Sequence, residues 1–132
     1  MPKATQLNVK LENKPGSLAR LCRDLANHGI NLLALSAPDI TAKRGLIRLL
    51  VVNPELAQLK VTKMEYSFTV EEVLYIEIKN RPGSLAKAME KLARAGINVR
   101  YAYATALRKT QKTGAVIAVA EEDLPRAHKL LG

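Results

Sequence analysis

A chain of 132 residues fits one ordinary domain or two small ones, and its Lys and Arg outnumber Asp and Glu by 21 to 12. The resulting +9 is spread along the sequence, which reads as a solvated lysine-rich surface before a nucleic-acid-binding one. One cysteine, Cys22, excludes an internal disulfide or a multi-cysteine metal site and suits a reducing cytoplasm, while the absence of an apolar head segment or of any apolar run near about 20 residues argues against a secretory signal and a membrane span. In chain order, TQLNVKLE alternates with Leu7, Val9 and Leu11 on one side, the period of a half-buried strand. After Pro15-Gly16 the period changes: Leu18, Leu21, Cys22 and Leu25 form one helix face, which places Cys22 in the packing. Gly29 is the expected left-handed cap. NLLALSA reads as a strand, PDITAKRG as a turn and LIRLLVV as a third strand. A helix opens at Pro54 and runs to about Met64, and SFTV is a short fourth strand.

The chain then repeats itself. ENKPGSLARLCRDLANHGIN, from Glu12, returns as KNRPGSLAKAMEKLARAGIN, from Lys79. Asn13 and Asn80 are 67 residues apart, as are Asn31 and Asn98, and a constant offset marks one duplicated unit. VLYIEIK, the helix through Leu85, Ala88, Met89 and Leu92, the Gly96 cap, NVRYAYAT, GAVIAVA and EDLPRAHKLL follow the first unit's order, with ALRKTQK joining the last two strands. The expected fold is α+β: two tandem ferredoxin-like βαββαβ units, residues 1–71 and 72–132, each an antiparallel sheet with helices on one face. The last strand of the second unit is missing, which leaves VLYIEIK as a bare edge.

Few residues suggest catalysis. His28 and His128 read as exposed helix histidines without acidic or cysteine partners at ligand spacing. Glu71-Glu72 and Glu121-Glu122-Asp123 read as solvated faces and helix-head charges, and no phosphate-binding glycine loop is present, so neither catalysis nor a cofactor is expected. The repeated loop is different. Gly16 and Gly83 leave room for a ligand, and the helix that follows offers unpaired amides to a carboxylate. Asn13 and Asn80 beside it supply donors and acceptors, the combination that a zwitterionic amino acid needs. A plain Pro-Gly turn is the simpler reading of one copy; two copies, each followed by Gly-Ile-Asn, favour a site.

At Asn-[Lys/Arg]-Pro-Gly-Ser-Leu-Ala, followed by a helix and Gly-Ile-Asn, the chain resembles a tandem ACT-domain protein over nearly its whole length, GLIRLLVVNPELA included. The resemblance implies a non-catalytic sensor of amino-acid metabolism, its ligand held between two ACT units and a regulated enzyme as a possible partner. Carried over, one site would use Asn13, Pro15, Gly16 and Ser17 with Asn98, and the other Asn80, Pro82, Gly83 and Ser84 with Asn31. Leu11 and Ile78 stand where serine-binding members carry a histidine, which points to an apolar or aromatic ligand. Tyr101 and Tyr103, against Ala34 and Ser36, make the two sites unequal.

Two other readings rank lower. A nucleic-acid-binding ferredoxin-like sheet needs aromatics on both central strands, which this chain lacks, although LRKTQK, Lys43 and Arg44 could meet phosphate. A small acylphosphatase-like enzyme lacks a suitably placed loop arginine. The assembly follows from reach. If units pair through their second strands, the fourth strand of one and the first of the next lie about 29 Å apart. Glu71-Glu72 spans only on the order of 10 Å. Pairing should therefore join unit one of one chain to unit two of another, giving a homodimer.

Overall fold

A computed structural model describes residues 3–38, 44–105 and 111–132. The PDITAKRG turn and the ALRKTQK connection, with Lys43, fall largely outside these residues. The described elements are β1 (Lys3–Glu12), α1 (Ser17–Asn27), β2 (Leu32–Ser36), β3 (Arg44–Val51), α2 (Pro54–Lys63), β4 (Phe68–Lys79), α3 (Ser84–Arg94), β5 (Val99–Thr105), β6 (Lys112–Val119) and α4 (Leu124–Leu131), the last preceded by a short 3-10 turn at Glu121–Asp123. The order is the expected tandem ferredoxin-like one, and the class is α+β.

Two compact units emerge, Thr5–Glu71 and Glu72–Gly132, the latter joined by the head of the chain through Ala4. In the first unit the strands lie in the order β2-β3-β1-β4, with β1 and β3 antiparallel from Gln6↔Leu50 to Glu12↔Arg44. Lys10 N–H donates to Ser67 O at 2.9 Å where β4 begins beside β1. In the second unit the order is β4-β6-β5, antiparallel throughout.

Strand β4 corrects one expectation. From Phe68, the FTV of SFTV and VLYIEIK are one strand of 12 residues, so Glu71 and Glu72 are strand residues rather than a link between two strands. VLYIEIK has β6 along one flank from Leu74 to Lys79 and is the outer strand of the second unit's order β4-β6-β5, the edge that was expected; Lys3 at the head of β1 pairs with Glu72, just before it, at 3.4 Å.

Each unit has its own core between sheet and helices. In the first, Leu7, Val9, Leu49, Leu21, Leu25 and Val61 are closed to solvent. In the second, Leu74, Ile117, Leu92, Ile76, Ala115 and Ala127 do the same work. The alternation of β1 is thus confirmed, but β1 is not half-buried. Its other face is closed too, at Gln6 (0 % exposed) and Asn8 (7 %). These two pair side chain to side chain at 2.8 Å, and Asn8 Nδ2 donates to Glu71 Oε1 at 3.3 Å. Burying amides requires such partners. Glu71 is accordingly half-buried rather than part of a solvated face.

The helix face on α1 is narrower than its sequence suggests. Leu21 and Leu25 are buried, whereas Leu18 is 37 % exposed and Cys22 is an exposed free thiol, not a core residue. Both histidines are half-buried rather than exposed; His28 caps α1, and its Nδ1 lies 2.8 Å from Asp24 O.

Candidate functional site

The repeated phrase builds the same local structure twice. At each loop an i+2 backbone bond comes first, Lys14 N–H to Glu12 O and Arg81 N–H to Lys79 O. Ser17 N–H then donates to Lys14 O, and Ser84 N–H to Arg81 O, both at 3.3 Å. Gly16 and Gly83 are the residues before α1 and α3, each at φ +90°, a left-handed backbone that an L side chain strains to adopt. Neither would bring a Cβ within 4 Å of any atom, so the backbone angle, and not crowding in the protein, requires glycine. Neither N-cap glycine supplies a side-chain cap; Ser17 and Ser84 N–H are taken by the loop carbonyls, and the amides next along each first turn are the ones an outside acceptor can meet.

The tail of the phrase is structural. Ile30 N–H reaches Leu25 O at 3.0 Å and Ile97 N–H reaches Leu92 O at 2.9 Å, across left-handed Gly29 and Gly96. This closes the helix, and each isoleucine packs into its core. The end is held again from outside: Lys60 Nζ donates to His28 O, and Arg126 Nη1 donates to Ala95 O at 2.9 Å.

Each loop lines a cavity in its own unit. The first, of about 600 Å³, is lined by Leu11, Pro15, Gly16 and Ser17, by Arg20 and Asp24 of α1, and by the Met64–Ser67 turn. The second, of about 300 Å³, is lined by Ile78, Pro82, Gly83, Ser84 and Lys87. Eight of the residues singled out in the sequence thus meet around two cavities: Leu11, Pro15, Gly16 and Ser17 in one, Ile78, Pro82, Gly83 and Ser84 in the other. Asn13 and Asn80 are exposed loop residues outside both linings. Asn31 and Asn98 are exposed at the heads of β2 and β5, and the Asn31 carbonyl accepts from Val52 N–H at 3.2 Å.

The first cavity has residues that the sequence reading missed. Tyr66 O–H donates to Asp24 Oδ2 at 2.7 Å, and Arg20 Nε lies 3.9 Å from the same oxygen. Burial first, then the bond to Asp24, pushes the Tyr66 phenol up to about 12, so it stays a donor. Its position depends on how α2 ends. Tyr66 N–H donates to Val61 O at 3.3 Å around Glu65, which takes a left-handed φ of 64° where glycine is usual. Asp24 could have been found in the sequence, at i+7 from Ser17 on one helix stripe; its partner 42 residues away could not.

Among the described residues no helix is long and apolar enough to cross a membrane, and no group of three or more His, Cys, Asp or Glu could hold a metal. Two ferredoxin-like units, each with a glycine-turned loop and a helix head over a cavity, define a class of small paired α+β modules. The model of one family, described as an ACT domain pair, matches residues 3–126, and the chain belongs to that family. A protein of Bacteroides thetaiotaomicron has a similar structure, with a TM-score of 0.85 and 30 % identity over 98 % of this chain and 86 % of its own. The regulatory subunit of aspartate kinase from Thermus flavus aligns at 0.66 and 17 % identity, covering 99 % of this chain and 91 % of its own. That from Thermus thermophilus, in a ligand-free form, aligns at 0.65 and 16 %, covering 98 % and 91 %. At such identities the two Thermus proteins share the fold. No curated protein matches the chain.

Proposed function

We propose that this ACT domain pair is a non-catalytic, amino-acid-binding regulatory protein of the cytoplasm that acts on an enzyme partner or on its own assembly. The observation that carries the reading is the loop geometry made twice, with left-handed Gly16 and Gly83 opening uncapped helix heads onto cavities. Open amides favour a carboxylate. Leu11, 8 % exposed, and half-buried Ile78 give each cavity an apolar wall, which suits an apolar or aromatic portion of the ligand. Asn13 and Asn80 flank the loops, and Asn98 and Asn31 are taken to complete the sites from a second copy of the chain. In support of that assembly, β2 and β5 are the outer strands of their units, with one edge left for pairing.

A ligand bound only by the folded state stabilises it, by about 2.7 kcal/mol at 100 times its Kd. Thermal denaturation with each of the twenty amino acids should reveal at least one that raises the melting temperature. Asn13→Ala or Asn80→Ala should weaken its binding by about 1–3 kcal/mol. Twenty flat responses would remove the proposal.

The nucleic-acid reading gains nothing from the fold. In the second unit β4 contributes one aromatic, Tyr75, its other aromatic, Phe68, belonging to the first unit, and the central strand β6 has none. The helix-free face between them is closed at Val116 and Ala118, 1 % and 0 % exposed, so bases have no platform to stack on.

A further inference from the structure

The two units differ in what lies beside their first strand. In the first, β4 runs along β1, and Lys10 N–H donates to Ser67 O at 2.9 Å. In the second, the matching strand is residues 73–79 of β4, which has β6 along one flank. Glu77 stands 67 residues on from Lys10, so its N–H turns to the flank where Ser67 lies in the first unit, and Tyr75 and Lys79 turn with it, because strand residues alternate. The opposite phase agrees: Asn80 N–H donates to Gln111 O, on the β6 side, at 2.8 Å. Among the described residues no strand lies along the flank at residues 75–79; Lys3, where β1 begins, meets Glu72. Burial follows the difference. Leu7, Val9 and Leu11 of β1 are all closed to solvent, whereas of their counterparts Leu74, Ile76 and Ile78 the last is half-buried. Tyr66 and Phe68 pack on the first core, and no described aromatic packs on the second.

Charge beside this flank also differs between the copies. In the first unit Glu12 pairs with Lys14 at 3.1 Å and Asp24 with Arg20 at 3.9 Å. In the second, Lys79 and Lys91 stand in place of the two carboxylates, and Arg81 and Lys87 in place of the two cations. Lys79, Arg81 and Lys87 line the second cavity with no carboxylate among its lining residues, and Lys112 lies opposite Lys79 on β6. Glu77 is already held by Lys112 at 4.0 Å. A second copy brought to this flank would add the same cations and be repelled.

We propose that the open flank of β4 at residues 75–79 is a docking edge for an extended, acidic segment of a partner protein, which joins the second unit as the fourth strand that the first unit already has. The backbone of that segment meets Tyr75, Glu77 and Lys79, an apolar side chain covers Ile78, and its carboxylates meet Lys79, Arg81 and Lys87. The edge is separate from the amino-acid sites and does not depend on them.

The chain's own fourth strand supplies the probe, because Glu65 and Tyr66 line the first cavity beside Glu12 and Lys14, the counterparts of Lys79 and Arg81. One labelled peptide carries residues 65–70, EYSFTV, preceded by one more glutamate; the control has lysine at both glutamates. Fluorescence anisotropy with the full chain should show the acidic peptide binding roughly tenfold tighter than the basic one. Lys79→Glu with Arg81→Glu should reverse that order, and Glu77→Pro, which removes an outward N–H and leaves the β6 ladder intact, should weaken both peptides. The melting temperature of each variant shows that it folds. Amide exchange read by NMR should slow at Tyr75, Glu77 and Lys79 when the acidic peptide binds, and stay unchanged along β2. Neither peptide binding at millimolar concentration, equal affinity for the two, or binding that leaves these three amides unprotected would overturn the proposal. Protection of the three amides before any peptide is added would overturn it too, and give the edge to a second copy.

Discussion

At the scale of single residues, the loop glycines and one glutamate carry testable strain. Gly16→Ala and Gly83→Ala force an alanine to φ +90° and should each destabilise the ligand-free protein by about 1–2 kcal/mol, read by denaturant titration. A loss seen only with ligand present would return the glycines to a role in ligand approach alone. Glu65 is the reverse case. At φ 64° it bears a cost that glycine lacks, so Glu65→Gly should stabilise by up to about 1 kcal/mol. Gly114 is required for a third reason: a Cβ there would lie 2.5 Å from the Tyr75 hydroxyl and 2.6–2.8 Å from its ring. Gly114→Ala should cost about 1–3 kcal/mol, and Tyr75→Ala in the same protein should recover part of it, a coupling that a double-mutant cycle reads.

At the scale of elements, helix ends decide the geometry. Asn53 caps α2 by accepting Leu56 N–H at 3.2 Å, with Pro54 in the first turn. Asn53→Ala should therefore cost about 0.5–2 kcal/mol in thermal or chemical unfolding, a loss that a merely solvated loop residue would not produce. The bond from the α2–β4 turn to α1 adds a pH signature. A phenol raised to about 12 in the folded state and near 10 in the unfolded chain holds its proton longer when folded. Its contribution is full below pH 10 and is lost as pH rises toward 12. Between those limits the wild type should lose stability faster than Tyr66→Phe; parallel slopes would detach Tyr66 from Asp24 in solution.

For the whole molecule, the outer strands of the two units set the grounds for assembly. VLYIEIK is the outer strand of the second unit on one side, and β2 and β5 are the outer strands on which the homodimer is proposed to rest. Sedimentation at micromolar concentration should give a dimer, and Lys or Glu at exposed Ala102 and Ala104 of β5 should weaken it if that edge pairs. A strict monomer that still binds its amino acid would leave each unit to hold a ligand unaided and would remove Asn98 and Asn31 of a second copy from the sites.

The sequence by itself determined the element order, the duplication and the loops at which to look, because these are written in local signals: period two in TQLNVKLE, period 3.6 from Ser17, and Gly-Ile where a helix must close. It failed where neighbours distant in the chain decide. Cys22 lies at the right helical spacing for the core, yet the buried face of α1 is only wide enough for Leu21 and Leu25. Gln6 and Asn8 alternate like solvent-facing residues, yet they are buried and satisfy each other and Glu71. The two loops are near-identical in sequence, but one cavity is about twice the other because Asp24 and the Met64–Ser67 turn close on the first. Burial and pairing are properties of surfaces brought together by the fold, and a chain read residue by residue carries its periods but not the surfaces that will meet.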